Sequence, residues 1–352
     1  MPTTSTLAVS ELDFDTIKSS LQTYLKGQTE FSDYDFESST LSILLNVLSY
    51  NTYHNSFYLN MIANEMFLDS AQLRNSVVSR AKMLNYTPRS ARGATAAVDT
   101  IVTPGDSPTS ITVAANTQFT STVNGISYIY VTSQSTSLIS QPNGTFTGTL
   151  NIVEGTPLQH RFTVNTTNPV RYILPNENTD TTSFTVRIQE STSNTSVITY
   201  SLLSDLSSVN SISTIYYLQE NEDNLYEVYF GDDVFGKKPI NGNIVLIDYR
   251  VCNGTATNGA NTFATPDSLG GYSNFTTTTS SVAQGGALQE TIDSIKYNAP
   301  FKYQAQDRLV TMQDYKNIIL SENGDLSSIN VWGGEENDPP IYGKVFVAAK
   351  PT

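Results

Sequence analysis

The sequence predicts an α+β protein, with a helical N-terminal region, β-rich middle modules and a small α/β C-terminal region. Three observations predict it. Apolar residues recur every three or four positions through the first ninety residues, which is the period of a helix with one buried stripe. From Ala94 the pattern changes to short apolar runs separated by Gly, Pro, Asn and Asp, the pattern of strands and turns. Helical spacing then returns at Leu288.

The first expected helix carries Phe14, Ile17, Leu21 and Leu25, with Gly27 as its C-terminal cap. A long second helix carries Leu41, Leu44, Leu45 and Leu48, then Leu59, Ile62, Ala63 and Met66, behind the acidic turn Asp33 to Glu37. The third carries Leu73, Val77, Ala81 and Leu84; Asp69 or Ser70 is placed to cap it and Pro88 to end it. Strands follow at Ile111–Val113, Ile126–Val131, Phe162–Val164, Phe184–Ile188, Ile215–Leu218, Glu227–Phe230 and Ile244–Val251.

The Gly, Asn and Thr-rich stretch from Asn253 to Gly286 reads as an extended connection or arm, because core formers are sparse there. Leu288, Ile292 and Ile295 begin a further helix. Thr311-Met312-Gln313-Asp314 has the spacing of a capping box for another. Two strands, Ile329–Trp332 and Val345–Ala348, complete the chain. The expected domains are 1–92 (helical assembly region), 93–210 (β-rich), 211–286 (β-rich with the arm) and 287–352 (small α/β).

With 19 Lys and Arg against 33 Asp and Glu, the formal charge of −14 repels phosphate backbones, so nucleic acid is not an expected partner. No apolar run is long enough for a membrane span and the start lacks the regions of a signal peptide, so no membrane is expected either. Cys252 is the single cysteine, which rules out an internal disulfide. His54 and His160 are isolated and read as surface or satisfied polar residues, and neither a metal cluster nor a cofactor site is expected.

Tyr229-Phe230-Gly231-Asp232-Asp233-Val234-Phe235-Gly236 reads as a strand entering a tight turn, followed by a second strand from Ile244. Gly231 and Gly236 bracket a segment where positive φ is expected, and Gly236→Val is expected to strain it. Asp232 and Asp233 could form a catalytic carboxylate pair. Neighbouring side chains on extended backbone point apart, however, and Asp commonly bonds its own turn, so a turn role is the better account.

This motif resembles that of the J-like baseplate proteins of contractile-tailed phages. Gln28–Glu37, Leu48–Thr52, Leu73–Val78, Asn85–Pro88, Ser294–Pro300 and Arg308–Tyr315 resemble, in order and spacing, segments of the T4-like baseplate wedge subunits that form the inner baseplate ring. The resemblance implies a structural subunit of the viral tail that joins wedges into a ring around the central hub and transmits baseplate rearrangement to sheath contraction. It brings no catalytic residue and no cofactor. It implies as partners a second copy of the chain, other baseplate wedge subunits, a sheath-initiator-like protein and the central hub proteins, in a virion assembled in the host cytoplasm. T4-like relatives continue into a further dimerisation region, so the sequence ending at Thr352 is expected to be a shortened version or a fragment.

The expected inter-subunit surface is Leu41, Leu44, Leu45, Leu48, Tyr53, Phe57 and Leu59. A private core is the plainer use of such a stripe, but Tyr50, Tyr53, Phe57 and Tyr58 put amphipathic residues on several sides of one helix. Structural roles are expected for Gly231, Asp232, Phe235, Gly236, Arg308, Asp314 and Tyr315, with an inter-subunit ion pair as the alternative for Arg308. The rival function is a tail-associated glycan-binding or glycan-cleaving protein, whose cleaving form needs two carboxylates facing one cleft.

Overall fold

The structure, a computed structural model, describes residues 10, 13–31, 35–36, 40–167, 171–203, 209–306, 308–322 and 326–351. Its helices are α1 (Phe14–Lys26), α2 (Leu41–Glu65), α3 (Arg74–Met83), α4 (Ile292–Ala305) and α5 (Met312–Glu322). The strands are β1 (Thr95–Val102), β2 (Ile111–Val113), β3 (Gln118–Val123), β4 (Ile126–Thr132), β5 (Thr136–Ser140), β6 (Phe146–Glu154), β7 (Thr156–Thr163), β8 (Tyr172–Ile173), β9 (Thr179–Gln189) and β10 (Val197–Leu202). They continue as β11 (Ile215–Glu220), β12 (Tyr226–Phe230), β13 (Ile244–Val251), β14 (Phe275–Gln284), β15 (Leu326–Gly333) and β16 (Val345–Pro351). The architecture is α+β, with a helical N-terminal region, two β-sheets in the middle and a small C-terminal helix and strand-pair region.

The helix ends show which local signals govern. Asp13 caps α1, its carboxylate accepting from Thr16 N at 2.9 Å. Gly27 closes α1 at φ −75°, its N–H reaching Thr23 O and Tyr24 O, so it caps without the left-handed backbone glycine usually supplies. Neither Asp69 nor Ser70 caps α3. The N-cap position is Leu73, and the Glu65 carboxylate at the end of α2 holds the turn that leads into it, accepting from the Gln72 and Leu73 N–H groups at 2.9 and 3.3 Å. Nor does Pro88 end α3: Asn85 turns left-handed at φ 56°, with Tyr86 N bonding Ala81 O and Asn85 N bonding Lys82 O. Those two bonds satisfy the last carbonyls before proline could matter.

The first sheet has the order β14-β1-β6-β4-β3, with β5 added to β6 and β2 to β5. Ala96, Val98 and Val102 of β1 turn inward with Phe119, Tyr130, Leu150 and Ile152, as the two-residue period of a strand requires. The segment read as an arm belongs to this module. Ala260 and Leu269 are buried in its core, Phe263 and Tyr272 pack against it, and β14 pairs β1 from Thr95 to Val102. Ahead of β14 its apolar residues are irregularly spaced because they reach the core from loop backbone and not from a strand.

The second sheet runs β7-β13-β9-β10-β11-β12-β8 around Val186, Val228, Val245 and Ile247. It is an insertion: the chain leaves the first sheet at Glu154, builds the second from Thr156 to Val251, and returns to the first with β14. The boundary expected at 210/211 falls inside this sheet, between β10 and β11, which pair in parallel at Ser201↔Ile215. The strands on either side of the Gly231 turn are not hairpin partners, because β12 pairs β11 and β8 while β13 pairs β7 and β9.

At the crossing between the sheets, the fully buried Glu154 carboxylate accepts from Asn253 Nδ2 at 2.7 Å and Asn253 N at 3.1 Å. Burial raises its pKa above the ordinary carboxylate range, outweighing the bonds from Asn253 that lower it. The protonated form is therefore favoured by folding. That contribution is full below the ordinary glutamate value of about 4.3 and is lost as pH rises through the higher folded value. Glu154→Gln keeps an acceptor for Asn253 and removes the titration. Its stability relative to the parent is expected to improve from pH 4 to pH 7, read from urea midpoints; a parallel pH dependence in the two proteins would exclude Glu154 as the source.

Candidate assembly surface

α2 is 25 residues long and α1, packed against it, is 13. At about 1.5 Å per residue these are roughly 38 Å and 20 Å, so α1 can cover one side of about half of α2. Burial follows that limit. Ile17 of α1 is buried, and Leu45, Ser49 and Asn60 are the buried positions of α2. Asn60 ties the helix back to Ser10, accepting from its N–H and donating to its carbonyl, each at 3.1 Å.

The rest of α2 is apolar and open. Ile43, Leu44, Val47 and Ile62 are each 62% exposed, and Leu48, Tyr50, Phe57, Tyr58, Leu59 and Met61 are exposed as well. At 100° per residue, Ile43, Val47, Tyr50, Phe57 and Met61 lie on the side of the helix opposite Leu45, while Leu44, Leu48, Leu59 and Ile62 lie on one flank. Of the expected surface residues, Leu44, Leu48, Phe57 and Leu59 are exposed, Leu41 and Tyr53 half-buried, and Leu45 buried at 4%. Ile43, Val47 and Met61, apolar residues off the leucine stripe, and Ile62 on it are exposed as well, although they were not among the expected surface residues. His54 sits among Tyr50, Tyr53 and Tyr58, with ring centroids 4.3, 5.6 and 6.4 Å away.

The Gly231 turn consumes its own carboxylates. Asp232 Oδ1 accepts from Val234 N and Phe235 N at 3.0 and 3.1 Å, and these bonds hold its carboxyl below the usual range. Asp233, at φ 71°, accepts from Lys238 N at 2.8 Å. Gly236 has φ 95°, but Gly231 is needed for a different reason: a Cβ there would stand 2.2 Å from Phe235 O and 2.3 Å from Gly236 O. Phe235 itself is exposed at the tip of the turn.

At the start of α5, Thr311 Oγ1 accepts from Asp314 N at 3.1 Å and Asp314 Oδ2 accepts from Thr311 N at 2.8 Å. This is the reciprocal arrangement of a capping box with Asp in the third position. Tyr315 is half-buried behind it, and Arg308 Nη2 donates to Gln306 Oε1 at 2.8 Å.

The buried acids are likewise committed to folding. Arg74 makes a two-pronged pair with fully buried Glu220, Nε to Oε1 at 2.7 Å and Nη2 to Oε2 at 3.0 Å, tying α3 to the second sheet. Glu290 takes bonds from Tyr86 OH at 2.9 Å, Arg89 N at 3.0 Å and Asn298 Nδ2 at 2.9 Å, joining the exit of α3 to α4. Among the described residues no group of three or more His, Cys, Asp or Glu is placed to hold a metal ion, and no helix is long and apolar enough to cross a membrane.

The geometry is thus that of a chain with an apolar helix left open and with its buried carboxylates bonded to residues of its own fold. Residues 13–86 match the family described as baseplate wedge protein gp6-like, helical domain, and residues 311–352 match baseplate structural protein gp6, C-terminal domain I. The chain is 28% identical over 366 aligned residues to baseplate wedge protein gp6 of Enterobacteria phage T4, covering 96% of this chain and 54% of that protein. It thus spans about half the length of the curated relative it matches. A chain from the cryo-EM structure of the anti-feeding prophage baseplate aligns over 92% of this chain and 67% of that one, at 12% identity and a TM-score of 0.32, a likeness too loose to bear on the fold. The chain is thus similar to gp6-like baseplate wedge proteins in its helical N-terminal and its C-terminal stretches, and to the phage T4 protein over nearly its whole length.

Proposed function

We propose that this chain joins baseplate wedges into a ring around the central hub and passes baseplate rearrangement on to the contracting sheath. The exposed apolar surface of α2 is the observation that carries this reading. An isolated soluble monomer seldom exposes a patch of several hundred Å², and covering each such side chain contributes on the order of 1–2 kcal/mol. The occupants proposed for it are helices from a second copy of the chain and from another wedge subunit. A sheath-initiator-like protein and the hub proteins complete the proposed neighbours, in a virion tail assembled in the host cytoplasm. In this reading 1–92 is the assembly region, Phe235 and Arg308 are available for further contacts, and the chain turns over no substrate.

Leu44 and Leu48 are exposed, so replacing both with Asn is expected to leave the circular dichroism spectrum and melting temperature of the isolated chain unchanged. Co-purification with a second wedge subunit is expected to be lost. If the double variant unfolds the chain, or holds its partner as the parent does, α2 does not form an inter-chain bundle.

A further inference from the structure

A cleft of about 520 Å³ opens between the two β-modules, floored by the polar face of the second sheet and walled by Asn116 and its neighbours in the first. That size is within the range of sites that hold ligands of many atoms. The strand register explains its character. Leu246 of β13 stands opposite Arg161 of β7 and Arg187 of β9, the next row inward on that face is Gln159, Asp248 and Thr185, and Arg250 follows opposite Pro157 and Asp180; Arg187 and Arg250 line the cleft, and Arg161 lies on the same face just outside its lining. Three guanidiniums therefore share one face with two carboxylates, Asp248 and the buried Asp180, in a chain whose net charge is −14. Asp248 is already occupied, by Arg187 Nη2 at 2.5 Å and Gln159 Nε2 at 2.6 Å. The guanidiniums of Arg250 and Arg161 have no hydrogen bond or ion pair among the described residues, and Nε of both Arg187 and Arg250 is buried without a partner.

A buried donor left unpaired costs free energy that a ligand can recover. We propose that this cleft is a docking site for an extended, acidic segment of a neighbouring protein, whose carboxylates pair with Arg250, Arg187 and Arg161. Charge complementarity selects the acid. β7 favours a peptide over a small anion, because it is the edge strand of its sheet and its outer backbone groups have no ladder partner among the described residues. This surface is separate from α2 and goes beyond the ring-joining reading, so either can fail while the other stands.

The test is fluorescence anisotropy with the full chain and a labelled short peptide alternating glutamate with threonine, beside the same peptide carrying glutamine for glutamate. The glutamate peptide is expected to bind at least about tenfold more tightly, with affinity falling as salt is raised. Arg250→Gln and Arg161→Gln are each expected to weaken it by a similar factor, while Lys344→Gln, outside the cleft, leaves it unchanged. Arg161 is exposed, so its variant reports on the site even if the Arg250 variant folds poorly. Equal binding of the two peptides, no binding, or insensitivity to Arg161→Gln in a folded protein would overturn the proposal. So would displacement of the peptide by inorganic phosphate or by oligothymidylate at matching concentration, which would show a general anion site or a nucleic-acid site instead.

Discussion

Arg74→Ala is expected to cost about 3–5 kcal/mol, the penalty for leaving one member of a buried ion pair alone. Arg74 is 17% exposed and Glu220 fully buried, and both guanidinium contacts run to the same carboxylate. Removing Arg74 also removes a bond to the Glu290 carbonyl, so the joint between α3, α4 and the second sheet loses its common donor. The double change Arg74→Met with Glu220→Leu is expected to recover most of the loss, since apolar residues of similar size often replace a buried pair at little cost. Urea midpoints of the single and double variants measure the difference. A single variant within 1 kcal/mol of the parent would mean that solvent reaches Glu220 and the pair is not buried.

Gly236→Val is expected to damage the Gly231 turn through two separable effects. The φ of 95° costs a β-branched residue about 1–3 kcal/mol. Its Cβ would also stand 2.7 Å from Ile215 Cγ1, and overpacking of that kind adds about 1–3 kcal/mol. Gly242 separates the two effects, because its φ of 87° is similar and nothing lies within 4 Å of the added Cβ. Gly242→Val should show the backbone cost alone. Equal losses in melting temperature at the two positions would assign the whole effect to φ and none to Ile215.

Much of the fold could be read locally. The helical periods of the N-terminal region, the β-branched and apolar run at Ile244–Val251, the capping box at Thr311 and Asp314, and the turn use of Asp232 and Asp233 depend on atoms a few residues apart, so sequence spacing carries them. The same holds for the α2 surface in outline: an apolar helix with aromatics on several sides is recognisable without its neighbours. Which of those residues stay open depends on which side of α2 is packed, which is why Leu45 is covered while Ile43 and Val47, on the opposite side, are not.

By itself, then, the sequence determined the α+β class, the helical period of the N-terminal region, the capping box of α5, the turn chemistry at Gly231, and the resemblance to baseplate wedge subunits, since each is written in neighbouring residues. Tertiary structure alone decided that the second sheet is an insertion, that the Asn253–Gly286 stretch closes the first core, and that Arg74 and Glu220, 146 residues apart, meet in the interior. The same is true of the two arginines that line the cleft and of Arg161 on the same face, which belong to three strands. Spacing along the chain records what a residue does to its own turn or strand. Strand order and burial depend on contacts between segments far apart, and no local pattern encodes which distant partner a side chain will find.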